Sequence, residues 1–120
     1  MEKLKVGIIG TGRFGRLHLQ VFNQIKDCEV IAIADIDEEI LRKTKIEYNI
    51  DRSYTDPYDL INDNRIDTVS IVSDESTHGE LAIYAIKNGK NVFIEKPIAT
   101  SYKEAKEIKR LAEMYKVTVM

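Results

Sequence analysis

Apolar residues along this chain follow two alternating rhythms. Short, β-branched runs recur, and between them the apolar residues return at helical spacing. Val6-Gly7-Ile8-Ile9 is the first run, and its continuity predicts a strand buried on both faces, as in a parallel sheet. Leu17, Val21, Phe22 and Ile25 follow at helical spacing and predict a helix over roughly Arg13 to Lys26. Glu29 to Ala34 reads as the second strand. Asp37 then reads as an N-cap, with Glu38 and Glu39 in a first turn whose dipole favours carboxylates, ahead of Ile40, Leu41 and Ile46.

The second half repeats the alternation. Ser53-Tyr54 predicts a minimal third strand, and Asp56-Pro57 a cap and first-turn proline before a short helix with Tyr58, Leu60 and Ile61. Asp67 to Ser73 is the fourth strand. Thr77 and Glu80 form a capping-box pattern before Leu81, Ile83, Ala85 and Ile86, and Asn88-Gly89 stops that helix. Asn91 to Ile94 is the fifth strand. Ser101 and Glu104 repeat the capping-box pattern on a helix reaching about Tyr115, and Val117 to Val119 would be a sixth strand. This alternation predicts an α/β fold: a Rossmann-type doubly wound parallel sheet of about six strands, ordered 3-2-1-4-5-6. In such sheets ligands bind beyond the carboxyl ends of the strands, where the strand order reverses.

Composition narrows the setting. The 120 residues suffice for one domain with a core and not for two. Apolar residues at 43% and charged residues at 32% read as a soluble globular chain. The net charge of −2 arises from interspersed signs, leaving no basic footprint for nucleic acid or an anionic membrane. No apolar run, Val30 to Ala34 included, is long enough to span a bilayer, and Met1 to Lys5 has no signal-peptide character. Cys28 is the one cysteine and reads as a spectator thiol, so a cytoplasmic setting is expected. No His, Cys and carboxylate cluster has metal spacing, and no serine has a nucleophile-elbow setting.

The chemistry centres on Gly10-Thr11-Gly12-Arg13-Phe14-Gly15, a G-x-G-x-x-G between the first strand and the first helix. Gly10 allows a tight turn, Gly12 lets backbone approach a pyrophosphate, and Gly15 lets helix pack on strand. The helix N-terminus offers free N–H groups to phosphates. Asp35 lies 20 residues past Gly15, at the end of the second strand. A carboxylate there accepts from adenosine ribose hydroxyls and repels a 2′-phosphate, favouring NAD over NADP. It would otherwise be a solvated turn aspartate. Arg13 could pair with pyrophosphate, stack on adenine or tolerate a 2′-phosphate, or it could be solvated.

Glu95-Lys96-Pro97 follows the fifth strand. Pro97 ends the strand, which can hold Lys96 near a nicotinamide ring or substrate hydroxyl as donor or proton-relay member. The alternative is a surface lysine paired with Glu95. His78, at the start of the fourth helix, is either a contact to the nicotinamide half or structural. His18, inside the first helix, reads as a packed or partly exposed helix residue.

Over essentially its whole length the chain resembles the N-terminal domain of the Gfo/Idh/MocA oxidoreductases. The likeness is carried by Val6 to Gly15, Ala34-Asp35, Tyr54-Thr55-Asp56, Asp67 to Ile71, His78, and above all Gly89 to Ala99 with its Glu95-Lys96-Pro97. The resemblance implies that Lys96 is the catalytic lysine beside nicotinamide and substrate. It also implies that Ser73 and His78 line the cofactor crevice, with Glu95 beside them. Where the family carries a Thr-Pro pair or similar, this chain has Ser73-Asp74-Glu75.

The resemblance further implies a second α/β domain, absent from residues 1–120, that supplies the substrate pocket and remaining acid–base groups. The expected function is therefore the NAD(P)-binding part of an oxidoreductase that moves a hydride between nicotinamide and a sugar or polyol hydroxyl. It is expected to be inactive alone and able to form homodimers through uncovered apolar surface. The alternative is a nucleotide-sensing regulatory domain without catalysis. Glu95-Lys96-Pro97 argues against that alternative. A methyltransferase would show a G-x-G-x-G turn instead.

Overall fold

Five of the apolar runs become strands, and every pairing between them is parallel. The computed structural model describes residues 3–72, 78–94 and 101–120, with backbone only at positions 13 and 14. In chain order the elements are β1 (Leu4–Ile9), α1 (Arg13–Gln24), β2 (Cys28–Ala34), α2 (Glu38–Glu47), β3 (Arg52–Tyr54) and α3 (Pro57–Ile61). β4 (Thr68–Ile71), α4 (His78–Lys87), β5 (Asn91–Ile94) and α5 (Tyr102–Tyr115) complete them. The sheet order is β3-β2-β1-β4-β5, so the order reverses at β1.

Alternation along β1 divides the core in two. Val6 and Ile8 point to one face, where they meet Leu19 of α1 and Leu41 of α2. Ile9 points to the other, where Leu60, Leu81 and Leu111 come from α3, α4 and α5. Gly7 shares that second face. A Cβ there would lie 2.7 Å from Leu60 and 2.9 Å from Ile66, so the glycine lets this layer sit close on β1. The connection after α3 is held by buried Lys90, whose Nζ donates to the carbonyls of Asp63 at 2.9 Å and Ile66 at 2.6 Å. Burial pushes its ammonium below the ordinary lysine range, against the pull of Asp63 and Asp67.

The first helix forms where expected, but Leu17, Val21 and Ile25 are not on its buried side; they are 52%, 51% and 43% exposed. The helix packs instead through Gly15, His18, Leu19 and Phe22, a set with the i, i+3, i+4, i+7 spacing of one helical face. His18 takes part through its Nδ1, 3.0 Å from the hydroxyl of buried Ser70, and through an edge contact to Phe93 at 5.4 Å. Ile46 likewise faces outward at 69% exposure, while Leu41 and Thr44 hold α2.

The expected sixth strand, Val117 to Val119, is corrected. It lies parallel to β5 but forms one isolated bridge, Val92 to Val119, and no strand. The Thr118 N–H turns to the Asn91 side-chain oxygen at 2.9 Å, so that amide leaves the ladder.

Candidate functional site

The carboxyl ends of β1, β2 and β4 open on one cleft of about 460 Å³, bordered by Gly10, Gly12, Asp35 and Val72. Its near wall is the glycine turn. Gly10 has φ of 97°, which only glycine adopts without strain, and its N–H donates to the Ala34 carbonyl at 2.8 Å. A Cβ built at Gly15 would overlap the Gly10 carbonyl oxygen, so the turn closes only on a bare Cα. Gly12 is different. A Cβ there meets no protein atom within 4 Å, so its glycine answers no demand from within the fold.

Gly12 is also the N-cap of α1, and no side chain caps that end. The first-turn amides and the positive dipole end of α1 thus stand at the cleft's edge, the arrangement that holds phosphate groups elsewhere. By contrast α2 is capped internally. Asp37 accepts from the amides of Glu39 at 3.0 Å and Ile40 at 3.2 Å, a bond set worth about 1 kcal/mol.

Asp35 is tied into the turn. Its Oδ2 accepts from both the amide and the hydroxyl of Thr11, each at 2.8 Å, and its Oδ1 accepts from the Asp37 amide at 2.9 Å. Thr11 is buried, so this carboxylate satisfies donors that water does not reach. Oδ1 still has a lone pair free for a further donor from the cleft.

The far wall comes from α3 and α4 and was not read as site from the sequence. Pro57 and Tyr58 stand on one side, Glu80 and Leu81 on the other, with Ile36 at the rim. Ile36 is 86% exposed, an apolar side chain that the protein itself does not cover. Burial, and then the hydrogen bond and negative charge of Glu80, push the Tyr58 hydroxyl up to about 12. Sequence position offered one signal: Pro57-Tyr58 follows the third strand and Glu80 the fourth, so the topology brings both to the same sheet edge.

Of the residues singled out in the sequence, Gly10, Thr11, Gly12, Gly15 and Asp35 come together here. His78 does not join the cleft wall; it opens α4 as a buried residue. Beside it, a Cβ at Gly79 would overlap the Glu104 carboxyl, so the start of α4 packs closely on α5. Ser101 accepts from the Glu104 amide at 3.1 Å, one half of the expected capping box. Ser73, Thr77, Glu95, Lys96 and Pro97 lie outside the described residues, as do the side chains of Arg13 and Phe14. Among the described residues no group of three or more His, Cys, Asp or Glu could hold a metal ion, and no helix is long and apolar enough to cross a membrane.

The reversal of strand order at β1, with a glycine turn at that point, defines a Rossmann fold of the dinucleotide-binding class. The profile of the Gfo/Idh/MocA proteins, an oxidoreductase family with an NAD-binding Rossmann fold, matches residues 4–120. The chain belongs to that family.

Myo-inositol 2-dehydrogenase of Thermotoga maritima is 38% identical over 96 residues, covering 80% of this chain and 29% of that protein. The crystal structure of scyllo-inositol dehydrogenase from Lactobacillus casei, with NAD(H) and scyllo-inositol bound, aligns with a TM-score of 0.93 at 26% identity, covering 99% of this chain and 36% of that one. A biliverdin reductase from Synechocystis, solved with biliverdin and NADP+, aligns with a TM-score of 0.92 at 28% identity, over 97% of this chain and 36% of that one. The chain thus spans about a third of the length of these relatives.

Proposed function

We propose that these residues form the cofactor-binding part of an oxidoreductase that moves a hydride between NAD and a sugar or polyol hydroxyl. The observation that carries this reading is the joining of Asp35 to the glycine turn through Thr11, beside the uncapped start of α1. The cleft of about 460 Å³ falls within the roughly 300–1,000 Å³ of small-molecule sites and suits the adenosine part of a dinucleotide. Bound nicotinamide would accept or supply the hydride. The chain's own task is to hold and orient it.

In this reading the segment from Gly10 through Thr11, Gly12, Arg13 and Phe14 to Gly15 holds the pyrophosphate by its amides, and Asp35 accepts from the ribose hydroxyls. A 2′-phosphate would meet that carboxylate, so NAD is preferred to NADP. Ser73, His78 and Glu95 as cofactor contacts, and Lys96 as the catalytic group at the reacting oxygen, rest on the family resemblance. The substrate half, with its acid–base groups, would lie outside residues 1–120, as the relatives' greater length suggests. A cytoplasmic setting suits the lone thiol of Cys28 and the cofactor.

We also propose self-association. Leu17, Val21 and Ile25 recur every fourth residue and form one exposed apolar stripe, which a second copy could cover.

Calorimetric titration with NAD and NADP under one salt condition tests the cofactor reading. The expected result is binding of NAD, weaker binding of NADP, and no turnover of inositols or sugars by these 120 residues. Equal or tighter NADP binding would refute the role given to Asp35. Robust turnover would refute the division of labour. Sedimentation that stays monomeric at high concentration would refute the pairing.

A further inference from the structure

A groove between α1 and α2 shares no lining residue with the dinucleotide cleft. Arg16 of α1 and Arg42, Lys43, Ile46 and Glu47 of α2 line it. Its volume of about 360 Å³ falls within the roughly 300–1,000 Å³ of small-molecule sites. Positions 42, 43, 46 and 47 fall on one side of a helix, and Glu47 joins that side to Arg16.

Arg16 is set in place before any ligand arrives. Its guanidinium pairs with the Glu47 carboxylate and lies over the ring of Tyr48, 5.9 Å from the centroid. The Tyr48 hydroxyl in turn accepts from Gln20 Nε2 at 2.8 Å. The Arg16 Nε is closed off from water and has no acceptor among the described residues. A buried donor of that kind is rare, and it marks a place where an acceptor belongs.

Charge is left over as well. Glu47 is taken up by Arg16, and Glu39 lies 3.4 Å from Lys43. Arg42 has no ion-pair or hydrogen-bond partner among the described residues. Three cations thus face two carboxylates, and one positive charge is unanswered. Beside it stands Ile46, 69% exposed, the one apolar side chain among the described residues of this lining.

We propose that this groove is a second binding site, for a small organic carboxylate whose charge lies at Arg42 and Arg16 and whose apolar body lies on Ile46. A carboxylate matches a guanidinium fork with two parallel hydrogen bonds, and its one charge balances the one left over. A polyphosphate brings more charge than the groove offsets and would be repelled by Glu39 and Glu47. Binding here is independent of the dinucleotide and of hydride transfer.

The experiment follows the backbone amide signals of the 120-residue chain by two-dimensional NMR, at constant ionic strength, during titration with benzoate, acetate and benzamide. Benzoate has the charge and the apolar body, acetate the charge with little body, benzamide the body alone. Benzoate should give saturable shifts at Arg16, Arg42, Lys43 and Ile46, half complete at about 1–10 mM and about tenfold tighter than acetate; benzamide should give none. Arg42→Gln should weaken benzoate about tenfold or more, and Ile46→Ser should bring it to the level of acetate. Both side chains are exposed, so neither variant should melt differently from wild type. Shifts confined to Gly10 to Gly15 would place the carboxylate on the glycine turn and overturn the site. Equal shifts with benzamide, or benzoate affinity unchanged in Arg42→Gln, would overturn it too. The absence of any saturable shift up to about 100 mM would do so outright.

Discussion

Alanine at Gly12 and alanine at Gly15 should have opposite consequences, although the two positions share one turn. At Gly15 the added Cβ overlaps the carbonyl oxygen of Gly10, a backbone atom that cannot rotate away. Either α1 lifts from β1 or the turn opens, an overpacking cost of about 3 kcal/mol. At about 4 °C of Tm per kcal/mol for a domain of this size, Gly15→Ala should melt about 12 °C lower.

At Gly12 the Cβ enters open space, and φ of −71° suits any L-residue. Alanine is a poorer N-cap than glycine by a few tenths of a kcal/mol or more, but it removes about 0.4–1 kcal/mol of unfolded-state entropy. The two effects nearly cancel, so Tm should move by about 2 °C or less. The same methyl would occupy the space where a pyrophosphate must approach, and NAD affinity should fall about 100-fold, near 2.7 kcal/mol. Melting by circular dichroism and calorimetric titration measure both quantities on the same samples. If Gly12→Ala melts as low as Gly15→Ala, or binds NAD within about threefold of wild type, the steric reasoning fails.

Replacing Lys90 by Met should cost about 2–3 kcal/mol in urea unfolding, because the buried carbonyls of Asp63 and Ile66 lose their donor, while NAD binding is unchanged. Tyr58 should ionise near 12 in a spectrophotometric titration, and Tyr58→Phe should remove that step. Since its folded value lies above the ordinary 10.0, its contribution to stability is complete below pH 10 and is lost as pH rises toward 12. Asp35→Ala should abolish NAD binding and also destabilise the fold by about 1–3 kcal/mol, as the buried Thr11 amide loses its acceptor. In a longer form that turns over a polyol, Lys96→Ala should lower kcat far more than it weakens NAD binding; a change confined to KM would refute its catalytic role.

What the sequence made legible was whatever depends on local backbone. The strand order follows from alternation and handedness, and the glycine turn and Asp35 follow from a spacing that one strand–turn–helix fixes. The far wall of the cleft depends on side chains from separate segments. Tyr58 read as part of a short helix and Glu80 as half of a capping box, and only the tertiary fold brings both to one cavity. The buried face of α1 is likewise set by the tertiary fold. Leu17, Val21 and Ile25 are the more apolar set, but Gly15 must face Gly10, and that contact sets the rotation of the helix. His18 then falls on the packed side against Ser70 and Phe93, a polar residue on the packed face.

The bonds from Thr11 to Asp35 bear on how this domain could change its cofactor over evolutionary time. Turning an NAD site into an NADP site is commonly pictured as exchanging one acidic residue for a neutral or basic one. Here the acid also secures the Thr11 amide and hydroxyl and the Asp37 amide, so its loss loosens the glycine turn proposed to hold the phosphates. A single exchange at position 35 would pass through a form that holds neither cofactor well. The accessible route begins at position 11, with a side chain that no longer leans on the carboxylate and so leaves only the amide bond to be replaced, and changes position 35 second. Relatives that have made the switch should therefore differ at both positions together, and the order of the two changes should be recoverable from their reconstructed ancestors.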